Sequence, residues 1–269
     1  MFDRYLSRWS LVPDGVPIIT RGSHLLPVRW RGRAAMLKLA HGSDERLGAG
    51  VLDWWGGNGA AQVLARDDAT VLMARAEGTR SLTRMASAGA DDEATRILCA
   101  VVARLHAARP APLPQLVPLP QWFAALWPAA ATHGGLLARC AASAKALLAA
   151  PHDTSVLHGD IHHANVLDFG AGGWLAIDPK GLLGERSFDF CNIFTNPDLE
   201  DPSQPVATDP ERFQRRLAIV SDTAGLDRTR LLRWILAWTG LSWAWFLCDD
   251  ADVAIDTRIA ELAAAELDR

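Results

Sequence analysis

The apolar residues of this chain change their period once, near Arg75, and that switch limits it to an architecture of two unlike parts. Before Arg75, short extended runs pair around turn residues. Residues 24–30 and 33–39 flank Arg31-Gly32, and residues 61–65 and 70–74 flank Asp67-Asp68, the spacing of β-hairpins. One helix interrupts them, running from a Ser43 or Asp44 cap to Trp55 and stopped by Gly56-Gly57-Asn58-Gly59. After Arg75 the helical period dominates. Asp91-Asp92-Glu93 open an amphipathic helix with Ile97, Leu98, Val101, Val102 and Leu105 on one side. Five prolines between Pro110 and Pro120 mark a linker, and Trp234, Trp238 and Trp245 stripe a late helix as core. The expected fold is α+β and bilobal, with a small β-rich lobe over residues 1–75, a larger mainly helical lobe over 76–269, and a cleft between them. At 269 residues, 49% hydrophobic, the chain is long enough to bury that much core.

Composition removes several function classes. The net charge is −4 and the 27 basic residues are scattered, which leaves no nucleic-acid footprint. No apolar run follows the first residues, and the most apolar stretch, 231–247, is short for a bilayer and broken by Arg233. A cytoplasmic protein with no membrane partner is expected. Cys99, Cys140, Cys191 and Cys248 are far apart and show no CxxC spacing, so they read as small buried hydrophobes. Only three of the bases are lysines, Lys38, Lys145 and Lys180, so each retained lysine carries information.

The densest polar cluster is Val156-Leu-His158-Gly-Asp160-Ile-His162-His163-Ala-Asn165-Val-Leu, apolar at both ends. Eighteen residues after Asp160, the apolar run Trp174-Leu-Ala-Ile ends in Asp178. A hairpin through the turn at 170–173 brings Asn165 and Asp178 to one end, so an acid, a carboxamide and a second acid converge. A carboxylate and an amide oxygen are hard ligands suited to a Mg²⁺ that bridges phosphates. Asp160 is then free to accept a hydroxyl proton, the layout of phosphoryl transfer. Two other readings compete. Leu167-Asp168-Phe169-Gly170 spells a kinase metal motif, but Asp168 falls inside the first strand of the hairpin and not at its end. His158, Asp160, His162 and His163 superficially match a zinc cluster, yet no further His or Cys group completes it and Lys38 goes unused.

HGD-x4-N followed by I-D resembles the catalytic pattern of the aminoglycoside phosphotransferase and kinase-like superfamily. The longer strings HGDIHHANVLDFG, GWLAIDPKGLLGERSFDF, NIFTNPDL and LLRWILAWTGLS are similar to its streptomycin 6-phosphotransferase branch, over nearly the whole chain. The resemblance implies a protein-kinase-like fold, ATP and Mg²⁺ as cofactors, and an aminoglycoside acceptor, streptomycin at its 6-hydroxyl. A kinase of another small hydroxylated metabolite, a sugar or amino alcohol, would carry the same apparatus. By this resemblance Asp160 is the catalytic base and Asn165 and Asp178 are the metal ligands. His158 supports the loop, and Asp189 is either a structural carboxylate behind the loop or a plain helix-capping acid. Gly159 stands where protein kinases carry the arginine that reads a phosphorylated loop.

On the nucleotide side, Lys38 sits inside an apolar strand, where an unpaired ammonium is costly. The kinase-like arrangement gives it nucleotide phosphates and a helix acid, for which Glu45 is the candidate and Asp44 the second choice. No GxGxxG is present; Thr20-Arg21-Gly22-Ser23-His24 stands in its place, with Ser23 as a candidate phosphate contact, and the backbone of residues 72–76 is expected to meet the adenine. Residues 185–209 carry six acids and one base, whereas residues 1–50 carry eight bases and four acids. That polarity suits a cationic acceptor, and Glu185, Asp198, Glu200 and Asp201 are the candidates to line its site.

Overall fold

The computed structural model describes every residue except Arg21, Gly42 and Asp250, together with the side chains of Ser43, Asp44 and Glu45. The expected Ser43 or Asp44 cap therefore lies outside the described residues. A short helix α1 (Asp3–Arg8) precedes the strands β1 (Val12–Pro13), β2 (Ile18–Ile19), β3 (Ser23–Trp30) and β4 (Arg33–Ala40). Helix α2 (Ser43–Trp55) then leads to β5 (Val63–Asp67) and β6 (Thr70–Ala74). These strands make one six-stranded sheet in the order β1-β3-β4-β6-β5, with β2 also on β3. Arg31 (φ 51) and Gly32 (φ 78) form the two-residue turn between β3 and β4, both in the left-handed region that such a turn demands. Alternation along β4 buries Ala35 and Leu37 with Leu26, Val28 and Leu72, against which Tyr5, Leu6 and Trp9 pack. Met36 and Lys38 are thereby turned to the opposite face.

The rest of the chain is helical apart from two small β units. Helices α3 (Leu82–Met85), α4 (Asp91–Leu105), α5 (Leu119–Trp122), α6 (Leu126–His133) and α7 (Gly135–Ala149) come first; α8 (Pro210–Ala224), α9 (Arg228–Cys248) and α10 (Ala254–Leu267) close the chain. Between the two sets lie β8 (Thr154–Leu157), the hairpin of β9 (Val166–Asp168) and β10 (Trp174–Ala176), and β11 (Leu182–Glu185), which pairs with both β8 and β7 (Val117–Pro118). A 3₁₀ segment, Arg186–Phe194, follows β11. The architecture is the bilobal α+β one expected.

Helix α9 is the axis of the helical part. By length and composition alone it could cross a membrane, but 67% of its most apolar window is buried inside the protein. Trp234 and Trp238 each meet Phe188 edge to face, with ring centroids 5.7 Å apart, so the tryptophan stripe is core. Three cysteines are buried as expected; Cys248, at the end of α9, is exposed and departs from that expectation. Asp91 is more than a helix-opening acid. It is fully buried against Arg216, which also donates to Ile193 O (2.7 Å) and Asn196 O (2.6 Å) and so ties α4, α8 and the 193–196 segment together.

The two parts meet closely where α2 and the segment after it pass the end of β10. A Cβ on Gly48 of α2 would lie 1.9 Å from Pro179 O, and Ala176 N–H donates to Gly59 O at 2.9 Å. Glycine is needed at 48 because α2 rests directly on the chain beyond β10. Gly48→Ala is expected to push Pro179 away and lower Tm, whereas Gly50→Ala, whose added Cβ would meet nothing within 4 Å, should stabilise by up to ~1 kcal/mol through helix propensity. Thermal melts of the pair check this.

Asp256 in α10 is fully buried with the Ser242 hydroxyl as hydrogen-bond donor, and burial pushes its carboxyl up to about 7. The folded state thus holds this proton more tightly than the unfolded chain, so the group favours folding at acid pH and loses that effect as pH rises from ~4 to ~7. Asp256→Asn should raise Tm by roughly 5 °C at pH 8 and by less at pH 5 in paired melts.

Candidate active site

The loop between β8 and β9 hangs on one buried carboxylate. Asp189, in the 3₁₀ segment, accepts His158 N–H on Oδ2 (2.9 Å) and Gly159 N–H on Oδ1 (2.7 Å), with His106 Nε2 2.8 Å from Oδ2. Of the two readings of Asp189, the structural carboxylate is the one seen. Gly159 has φ +83, and a Cβ there would sit 2.6 Å from Leu182 Cδ1, so no side chain fits. The His158 ring is buried, 6.0 Å from the Trp55 ring and stacked on it; its Nε2 bonds Ile177 O (2.8 Å) and its Nδ1 accepts Asp160 N–H (3.2 Å). Burial lowers its pKa, which keeps it neutral. It braces the loop, as the resemblance implies.

Asp160 stands on this loop with its side chain partly exposed. Asn192 Nδ2 donates to its Oδ1 at 2.7 Å, Asn165 Nδ2 donates to its Oδ2 at 3.2 Å, and Lys180 Nζ lies 3.3 Å from Oδ2. The Asn165 amide nitrogen also bonds Asp160 O at 2.9 Å, which leaves its oxygen for another partner. The β9–β10 hairpin pairs Val166 with Ala176, and Ile177 N–H donates to Asn165 O at 2.9 Å. Asn165 and Asp178 therefore share the end the sequence gives them. Asp178 takes a left-handed φ of 63 just beyond the strand, and its carboxylate pairs with Lys38 on Oδ1 and with Lys180 on Oδ2 at 3.3 Å. Burial would raise this acid, but Lys180 and Lys38 outweigh it and hold it at about 2.

A cavity of about 270 Å³ opens between the β-sheet, α2 and this loop. Ser23, Lys38, Asn165 and Asp178 form its polar end, and Leu25, Leu52, Val71 and Met73 line its apolar part. Glu45 falls on α2, but its side chain lies outside the described residues. The Asn165 and Asp178 oxygens fit Mg²⁺, a hard cation that takes few protein ligands and completes its shell with water and phosphate. A zinc cluster does not fit. Both His158 nitrogens are used, His163 is fully buried with neither ring nitrogen hydrogen-bonded, and among the described residues no three His, Cys, Asp or Glu groups come together as a metal site.

Asp168 is placed at the opposite, turn end of the hairpin, facing Trp174. Arg80 grips it through Nε (2.8 Å) and Nη2 (3.2 Å) and, as the largest cause, holds it at about 2.

Two of the four acids expected at the acceptor site are corrected. Glu185 is buried on β11, where it accepts from Arg230 Nε (2.7 Å), Trp234 Nε1 (2.7 Å) and His152 N–H (2.9 Å). Asp198 is fully buried and accepts Val206, Ala207 and Thr208 backbone N–H groups plus the Thr208 hydroxyl. Both are spent on shaping the chain. Asp201 is exposed and bonds Ser203. Glu200 comes nearest the site: its Oε1 is 3.2 Å from His162 Nδ1, and His162 Nε2 is 3.9 Å from Asp160 Oδ1. Burial pulls the His162 pKa down, but Glu200 and Asp160 together leave it raised.

The sequence reading missed Asn192, His162 and Lys180 as neighbours of Asp160. Lysine scarcity was a usable signal for Lys180. Asn192 had none, because it arrives from a 3₁₀ segment 32 residues away.

Comparison with known proteins adds four findings. Residues 8–250 match the model of the aminoglycoside/hydroxyurea antibiotic resistance kinases. The chain is 52% identical over 267 residues to the streptomycin 3″-kinase of Klebsiella pneumoniae, across 98% of this chain and 100% of that protein. It is 34% identical over 272 residues to the streptomycin 6-kinase of Streptomyces griseus, across 96% of this chain and 85% of that one. A thermostable mutant of aminoglycoside phosphotransferase APH(4)-Ia, solved as a ternary complex with ADP and hygromycin B, shares the fold. Its TM-score is 0.66 at 15% identity, covering 97% of each chain, which makes the bilobal fold a kinase-like one.

The hold of Asp189 on the loop can be measured directly. Asp189→Asn cannot accept both backbone N–H groups, and the orphaned donor should cost ~1–3 kcal/mol, read as a lower Tm.

Proposed function

The chain belongs to the aminoglycoside/hydroxyurea antibiotic resistance kinase family, and from that premise we propose that it is an ATP-dependent phosphotransferase whose acceptor is a hydroxyl of streptomycin. The observation that carries this reading is the run of contacts that links the Asp160 carboxylate, through Asn165 Nδ2 at 3.2 Å and Lys180 Nζ at 3.3 Å, to Asp178 and Lys38, which with Asn165 line one end of the cavity. Residues 1–75 act as the nucleotide lobe, and 76–269 as the catalytic and acceptor lobe. Adenine occupies the apolar part of the cavity, and Lys38, with Ser23, meets the phosphates. Bound Mg²⁺, held by Asn165 and Asp178, would neutralise charge on those phosphates. Asp160 orients the acceptor hydroxyl and takes its proton as the oxygen attacks the γ-phosphorus. The new O–P bond forms, the bond to the bridging oxygen breaks, and ADP leaves with that electron pair. A cytoplasmic location, where ATP is at hand, suits this chemistry.

The position phosphorylated is the finer question. The motif strings favoured the 6-hydroxyl; identity of 52% with a 3″-kinase against 34% with a 6-kinase favours the 3″-hydroxyl, which becomes the leading reading. Glu200 and Asp201 remain as acceptor contacts, Glu200 because its carboxylate stands beside His162 at the rim of the Asp160 site. A cationic group on the acceptor would pair with it.

Incubation with ATP, Mg²⁺ and streptomycin should yield ADP and a streptomycin monophosphate, and two-dimensional NMR of that product is expected to put phosphorus on the 3″-oxygen. Phosphorus at the 6-oxygen would restore the earlier expectation; transfer only to sugars or amino alcohols would remove streptomycin as the acceptor. Asp160→Asn should cut kcat by roughly 10²–10⁴-fold while calorimetry shows ADP binding retained. Glu200→Gln is expected to raise the streptomycin KM at least ~threefold, a change of about 0.6 kcal/mol, with the ATP KM unmoved.

A further inference from the structure

Lys180 lies between two carboxylates of different duty. Its Nζ is 3.3 Å from Asp160 Oδ2 and 3.3 Å from Asp178 Oδ2. Lys38 meets Asp178 on the other oxygen, Oδ1, from the sheet side. Lys38 lines the cavity that holds the apolar patch; Lys180 is not among its lining residues. The two ammonium groups therefore pair with different oxygens of Asp178, and Lys180 also reaches Asp160.

The backbone around Lys180 is fixed. Its N–H donates to His158 O at 2.7 Å, and it is bracketed by two left-handed residues, Asp178 (φ 63) and Gly181 (φ 70). A Cβ on Gly181 would lie 3.1 Å from Leu47 of α2, so this turn packs closely on that helix. The stem is thus anchored while its tip, on a side chain 21% exposed, reaches the cleft between the proposed base and the proposed metal ligand. In the proposed reaction a phosphoryl group moving from a nucleotide at Asp178 to a hydroxyl at Asp160 would pass beside that tip.

We propose that Lys180 is a catalytic residue that stabilises the phosphoryl group in transit, an inference that rests on the phosphotransferase reading above. Before transfer the ammonium is attracted by two carboxylates. As the acceptor oxygen bonds to phosphorus, its proton passes to Asp160 and cancels that charge, while the bridging bond breaks and ADP takes the electron pair. The pull of Asp160 on Lys180 falls when negative charge on the phosphoryl oxygens is most in need of a cation. A compact ammonium on a four-carbon stem can follow it, and such preorganised charge acts mainly on the transition state.

The test uses the full chain with Lys180→Met and, as a length-matched polar control, Lys180→Gln. Streptomycin-dependent ADP release, ADP affinity, and the tightening of ADP on adding aluminium fluoride, Mg²⁺ and streptomycin are measured for each. Both variants should lose roughly 10²–10³-fold in kcat, keep ADP Kd and streptomycin KM within ~threefold, a change of under about 0.7 kcal/mol, and lose the aluminium fluoride tightening seen in the wild type. Two results would overturn the proposal. One is kcat within about fivefold of wild type, a cost of only ~1 kcal/mol. The other is ADP affinity and Tm falling in step with kcat while the tightening persists, which would make Lys180 a neutralising support for two acids. The wild type run alongside separates the two readings: no streptomycin-dependent transfer in the wild type counts against the proposed function, whereas normal transfer beside unimpaired variants counts against Lys180 alone.

Discussion

The site depends on a buried carboxylate that never faces it. Asp189 holds the N–H groups of His158 and Gly159, and those two bonds set the direction in which Asp160 leaves the backbone. Each other feature of the loop is consistent with that hold. Gly159 has no room for a Cβ against Leu182, His158 links the loop to Ile177, and Ile177 in turn pairs with Asn165. The chain from Asp189 to Asp178 is thus a continuous run of short polar contacts through low-dielectric surroundings, where a satisfied network is rigid and a broken one is costly.

Buried charge is used the same way elsewhere in the helical lobe. Asp91 with Arg216 and Glu185 with Arg230 and Trp234 join segments distant in sequence, while Asp198 closes a local loop on three backbone N–H groups. Removing one partner from such a pair leaves an uncompensated charge inside the protein. Glu185, Asp189 and Asp198 are three of the six acids in residues 185–209, so half of that negative charge is internal structure and not a surface field.

The architecture was legible because hydrophobic period reports burial: alternation on β3 and β4, the helical stripe on α4, the tryptophans of α9. The convergence of Asn165 and Asp178 was legible for a related reason, since a glycine turn between two apolar runs fixes a hairpin and its ends. Side-chain partners were not. Glu185 and Asp198 look like surface acids in a polar stretch, and only the fold reveals that Arg230 and the 206–208 backbone claim them. Asn192 reaches Asp160 across 32 residues, a distance over which local pattern carries no information. Lys180 stood out by rarity, but its place between two acids follows from the left-handed turn at Asp178, which composition does not encode.

A hydroxyl, a transferring phosphoryl group and a cation would meet at one spot. A crystal structure of the chain with Mg²⁺, AMP-PNP and streptomycin tests that most directly. Mg²⁺ is expected on the oxygens of Asn165 and Asp178, with a streptomycin hydroxyl within hydrogen-bond distance of the Asp160 carboxylate and directed at the γ-phosphorus. Metal bound at Asp168, or streptomycin seated with no hydroxyl near Asp160, would contradict it.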